Sequence, residues 1–170
     1  GTWATTDKPK LSFDVKTSQA TLSAHCWKSR SQSLEACLRE EMHAGNHGSL
    51  ALDIKNADFA LIRDLLPPDL ELKGRTDAHA NMSWTAPSPE KATAHVELTG
   101  SGISVAAETN GVRQTLQLND TKLTADFTPR TAQIQSDVTL KGGGQLKADI
   151  TVNDPLSKRE LSGSVTVDDV

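Results

Sequence analysis

The stretch KATAHVEL, residues 91–98, puts Ala92, Ala94, Val96 and Leu98 at every second position, with Lys91, Thr93, His95 and Glu97 between them. Successive side chains of an extended chain point to opposite faces, so this alternation describes a strand with one apolar and one polar side. The same beat recurs at Leu11, Phe13, Val15; at Leu50, Leu52, Ile54; at Ala80, Met82, Trp84; at Leu146, Ala148, Ile150, Val152; and at Val165, Val167. The chain therefore reads as all-β, one long one-sided sheet whose apolar side needs a cover.

Strands are expected at roughly 10–11, 20–27, 34–42, 49–55, 70–84, 91–98, 102–108, 112–119, 122–127, 132–140, 145–152 and 161–167. Turn residues punctuate them. Asn110-Gly111 is the strongest short hairpin signal, Asn119-Asp120 and Thr128-Pro129 are further turns, and 141–144 (KGGG) and Asp154-Pro155 break the last pairs. Short strands at this spacing pair with antiparallel neighbours, which suits a sandwich, a barrel or a long meander equally. The exception is NADFALIRDLLPPDLELKG, residues 56–74. Asp58 is placed to cap a two-turn helix with Phe59, Ile62, Leu65 and Leu66 on one face, and Pro67-Pro68 would stop it. No second helix is available to meet that face, so it must pack on the sheet, as a plug or cap at one end.

A chain of 170 residues suffices for one domain with a real core, and 1–170 is read as a single unit. Only 36% of residues are hydrophobic and 4% aromatic, with no Tyr, so many inward positions fall to Ala and Thr and any core is thin. The net charge of −4, with acids and bases interspersed, offers no basic stripe for a phosphate backbone, which argues against nucleic acid. The longest apolar stretch, 59–66, is far short of the roughly 20 residues of a spanning helix, and no signal-peptide pattern opens the chain. Because the sequence begins and ends inside patterned segments, an internal fragment of a longer protein is expected.

Cys26 and Cys37 are separated by ten residues, among them the polar, turn-like KSRSQS. They are two buried thiols in a reducing compartment or, the favoured reading, a disulfide in an oxidising one. A bridge closing so small a loop stabilises by roughly 2–3 kcal/mol in the chain-entropy model. Cys26 shares the phase of Leu22 and Ala24 whereas Cys37 runs out of phase with Leu34, Ala36 and Leu38, so a bulge or an irregular second arm is expected.

Catalytic signals are weak. His43 and His47 have a zinc-like spacing, but Gly45-Asn46 breaks the helix that would align them, and no metal or cofactor is expected. Glu40 with Glu41, Asp168 with Asp169, and Asp53 with Asp58 read as solvent-facing neighbours, not a glycosidase pair. No Gly-x-Ser-x-Gly elbow occurs, and Gly142–Gly144 lacks the following helix of a phosphate cradle. Of Trp3, Trp27 and Trp84, which could stack sugars, Trp84 continues the inward beat and Trp27 adjoins a cysteine. An enzyme is not expected.

The helix followed by Leu65, Pro67, Leu70, Leu72 and Gly74, set among amphipathic strands with the Cys26 and Cys37 pair nearby, resembles the C-terminal region of the TamB family. These are inner-membrane-anchored subunits of bacterial translocation and assembly modules, similar in turn to AsmA-like and bridge-like lipid transfer proteins. The resemblance implies a periplasmic piece of an elongated protein whose long, mostly meandering sheet curls into an open apolar groove, a β-taco. It also implies an outer-membrane partner, TamA, met by other parts of the chain.

About eleven strands with about three inward apolar side chains each present on the order of 1,000 Å² of contiguous apolar surface, well above what soluble monomers usually expose. A closed sandwich would make that surface ordinary core; partial curling leaves a trough about 50 Å long. The resemblance favours the groove. Its lining is expected to comprise Phe13, Leu52, Met82, Trp84, Leu98, Val105, Leu118, Phe127, Ile134, Leu140, Ile150 and Val165. Two functions fit: a conduit for phospholipid acyl chains between inner and outer membranes, or a chaperone groove for unfolded outer-membrane or autotransporter β segments. A closed structural spacer is the blander third, in which an inward Asp at Leu118 or Ile134 would unfold the protein.

Overall fold

Alternation alone generates strand after strand, and the computed structural model joins them into one antiparallel sheet. It describes residues 2–30, 33–65, 67–86, 88, 91–109, 111–155, 157 and 159–168, with backbone only at 62, 64, 65 and 109. The strands are β1 (Trp3–Thr5), β2 (Leu11–Asp14), β3 (Gln19–Leu22), β4 (His25–Ser29), β5 (Glu35–Leu38), β6 (Met42–Ala44), β7 (His47–Asp58), β8 (Leu70–Thr85), β9 (Thr93–Thr109), β10 (Val112–Phe127), β11 (Thr131–Leu140), β12 (Gln145–Asn153) and β13 (Glu160–Asp168).

All thirteen lie in one sheet that is not closed into a barrel. From β7 to β13 each strand pairs with the next. Before β7 the pairing runs β1 to β4 to β5 along one half of the sheet and β2 to β3 to β6 along the other. β1 with β2, β3 with β4, and β5 with β6 are thus halves of single traverses, so the molecule is a meander of ten passes. The three interruptions, at 6–10, 23–24 and 39–41, lie side by side. Local bonds stitch them: Ser23 N–H donates to Lys10 O at 3.0 Å and Arg39 N–H to Ala51 O at 3.0 Å.

Two corrections to the sequence reading follow. The expected strands 91–98 and 102–108 are one strand, β9, and 112–119 and 122–127 are one strand, β10. Asn119-Asp120 is a β-bulge against β11, not a turn; the register shifts between Leu118 and Asp120 and the strand continues. Opposite it, Gly102 takes φ +62° in β9, a conformation that costs glycine little and other residues more. At Gly102 β9 carries an extra residue against β8, which lets its apolar phase switch from Ala94, Val96 and Leu98 to Ile103 and Val105 without leaving the face. Gly100 makes the space, since a Cβ there would come within 2.8 Å of Ile103 Cδ1.

The predicted helix forms as a 3-10 helix, Phe59–Leu65, in the connection from β7 to β8. The Asp58 carboxylate accepts from Ala60 N–H at 2.9 Å, as a capping residue should. Phe59 packs on the sheet; the side chains of Ile62 and Leu65, and all of Leu66, fall outside the described residues.

Cys26 and Cys37 are joined in a disulfide, with Cα atoms 4.0 Å apart. They pair directly across β4 and β5, without the expected bulge. The phase conflict is resolved at Ser23-Ala24. The break there inverts the alternation, so His25 and Trp27 take the apolar side and Cys26 turns to the polar one beside Cys37.

Candidate functional site

The register places apolar residues side by side across the sheet. One row runs Leu38, Leu52, Ala80, Val96, Ala125, Ile134, Ile150. A second passes through Leu50, Met82, Ala94, Phe127, Ala132, Val152 and Leu161. A third joins Ala78, Leu98, Leu123, Ser136, Ala148 and Val165. Leu118 pairs with Leu140 and, across β9, with Ile103; Val105 pairs with Leu72 and Leu116. Phe13, at the first pass, pairs with Ala20, which pairs with Ala44. All twelve residues singled out from the sequence thus fall on one face.

The opposite face is polar and tied by cross-strand pairs. Asp53 holds Arg39 at 2.8 Å and His79 at 2.8 Å, Lys28 meets Glu35 at 3.0 Å, Lys122 meets Glu97 at 3.3 Å, and Gln135 donates to Asp149 at 3.1 Å. Cavities of about 700 and 370 Å³ open on this side, lined chiefly by polar residues such as Arg75, Asp77, Asp120, Lys122 and Lys147. Asp14, at the first hairpin, has its carboxyl held below the ordinary Asp value by backbone N–H donors of Lys16 and Thr17.

The apolar face is sealed unevenly. Ile103, Leu118, Val138 and Leu140 form a buried cluster, against which Phe59, Val105 and Leu146 pack. Toward the other ends of the strands Phe13 is 63% exposed, Met82 44%, Phe127 37% and Val165 62%. Trp84 lies over Gly48, whose missing side chain leaves room for the indole, and its Nε1–H donates to Gly45 O at 3.2 Å. Among the described residues no side chain is fully buried. The chain exposes 11320 Å², against about 8,100 Å² expected from the surface-mass relation for a folded monomer of 18.2 kDa. A single layer that does not fold back on itself accounts for the excess.

His43 and His47 are engaged apart from each other: Nε2 of His43 lies 3.7 Å from Glu41 and Nδ1 of His47 lies 3.3 Å from Thr85 Oγ1. Cys26, Cys37 and Glu35 cluster, but the two sulfurs are bonded to each other. Asp53 is taken by Arg39 and His79, and Asp58 by the helix cap; Asp169 lies outside the described residues. Among the described residues, His25 is a buried polar group of the apolar face that sequence reasoning missed: its Nδ1 meets Ser23 O at 2.7 Å and its ring contacts Trp27.

The family model described as TamB, N-terminal domain, matches residues 1–170. The chain belongs to the TamB family. It is 25% identical over 158 residues to the Haemophilus influenzae protein named translocation and assembly module subunit TamB, a match covering 93% of this chain and 12% of that one. The expected placement in the C-terminal region of TamB finds no support in a match to an N-terminal domain model. No solved structure matches. No helix among the described residues is long and apolar enough to cross a membrane.

Proposed function

We propose that this TamB segment carries phospholipid acyl chains along its apolar face, as a periplasmic section of a translocation and assembly module that moves lipids between inner and outer membranes and supports outer-membrane biogenesis. In this reading the whole protein is anchored in the inner membrane and meets TamA through parts other than this segment. The observation that carries it is an apolar face that runs across ten passes of the sheet and leaves Phe13, Met82 and Phe127 exposed. At about 4.8 Å per strand those passes make a track of roughly 45 Å, longer than one lipid. Each methylene removed from water contributes about 0.8 kcal/mol, and a wall of aliphatic and small side chains without directional polar contacts allows sliding. Phe13, Leu52, Met82, Trp84, Leu98, Phe127, Ile134, Ile150 and Val165 are the proposed contacts; Val105, Leu118 and Leu140 sit in the sealed part. The disulfide supports an oxidising compartment.

A photo-crosslinker at Ile134, on the apolar face, and another at Gln133, on the polar face, test the reading in cells. Lipid adducts from 134 alone are expected; equal labelling from both positions, or none, contradicts it.

The chaperone reading draws on the same apolar face, where Met82 and Phe127 are exposed to an unfolded β segment. Polypeptide adducts from position 134 in place of lipid would favour the chaperone.

A further inference from the structure

Among the described residues of the β7–β8 connection, Phe59 packs on the buried cluster of the apolar face. The register makes Ile103, Leu118, Val138 and Leu140 continuous with Ile134, Ile150 and Phe127, residues of the same chemistry on the same side of the same strands. Yet the first four are buried, Ile103 to 4% exposure, while Ile134 and Ile150 are half-buried and Phe127 is 37% exposed; the small Ala125 and Ala132 beside them are buried, and Leu116 and Val167, beyond the cluster, are exposed. Against the cluster the β7–β8 connection lays Phe59, and Val105 and Leu146 pack on it as well.

The position of Phe59 is specified locally. Asp58 ends β7 and caps the turn through Ala60 N–H. The bulge at Asn56, with φ +57° and its N–H donating to Asp77 at 2.8 Å, precedes the departure from the sheet. An aromatic ring held at a fixed height over aliphatic side chains does for them what a client's methylenes would do elsewhere: it removes their surface from water.

We infer that Phe59 is a built-in occupant of the apolar face, which confines acyl chains to the part bounded by Phe13, Met82, Phe127 and Ile150. It sets the width of the track. The inference rests on the lipid reading proposed above and adds which half of the face takes the chain, and why.

The test uses phosphatidylethanolamine vesicles containing a diazirine-bearing acyl chain, with adduct sites mapped by peptide mass spectrometry in wild type, Phe59→Ala and Phe59→Leu. In wild type, adducts are expected on Phe127, Ile134 and Ile150 and not on Val138 or Leu140. Phe59→Ala should bring adduct yield at Val138 and Leu140 up to that at Ile134, while Phe59→Leu keeps the wild-type map. Adducts at Val138 and Leu140 in wild type overturn the inference by themselves, so it does not depend on Phe59→Ala folding. An unchanged map in folded Phe59→Ala also overturns it. No adduct anywhere in wild type removes the lipid reading, and this one with it.

Discussion

Gly48 has no side chain, and Trp84 occupies the place one would take. A Cβ there would collide with the six-membered ring, so Gly48→Ala should displace the indole and cost about 1–3 kcal/mol, as overpacking does. Chemical denaturation followed by tryptophan fluorescence checks both the loss and the changed environment. Asp14 acts through charge instead. Its folded pKa is lowered by the N–H groups of Lys16 and Thr17, so its stabilisation of the 15–18 turn is present above the ordinary Asp range and is lost as pH falls through the depressed value. Asp14→Asn should abolish that acid dependence, read from amide shifts of Lys16 and Thr17 across a titration. Either residue could be picked out as a turn or face position from the sequence. The contact of Trp84 with Gly48 depends on chain brought from elsewhere in the fold, whereas the donors to Asp14 lie two and three residues on.

At the scale of the element, β4 and β5 are short and meet through one covalent link. Replacing Cys26 and Cys37 by Ala should lower stability by about 2–3 kcal/mol, measured by urea unfolding, if loop entropy governs the link. The pairing itself was legible from two cysteines flanking a polar turn, but its geometry was not. Counting alternation through Ser23-Ala24 assigned the cysteines to conflicting faces, because a two-residue break in a strand changes parity and leaves no compositional mark. The same physics misled the reading of β9 and β10. Gly102 and Asn119-Asp120 are residues that make turns in isolation; inside two long paired strands they make bulges, which keep Ile103 and Leu118 on the apolar side. The 3-10 helix was found in its place because Asp58 and Pro67-Pro68 are local signals, and local signals survive folding.

For the whole molecule, face membership followed from the alternation of each strand, so the twelve candidate residues could be assembled before their neighbours were known. Which of them are sealed could not, since that depends on Phe59 reaching across from one connection. The openness of the sheet changes what a substitution means. Leu118→Asp places a carboxylate in the buried cluster and should unfold the protein in any reading, so it cannot discriminate between a conduit and a spacer. Phe127→Asp discriminates better, because that ring is 37% exposed and a carboxylate there reaches water. The central claim is that the open part of the apolar face holds lipid, and native mass spectrometry of the protein purified from cells tests it most directly, wild type beside Phe127→Asp. Phospholipid masses on the wild type should be lost in Phe127→Asp while the variant still unfolds cooperatively, at a cost of about 1–3 kcal/mol. A lipid-free wild type, or a Phe127→Asp variant that unfolds as a core substitution would, contradicts the account.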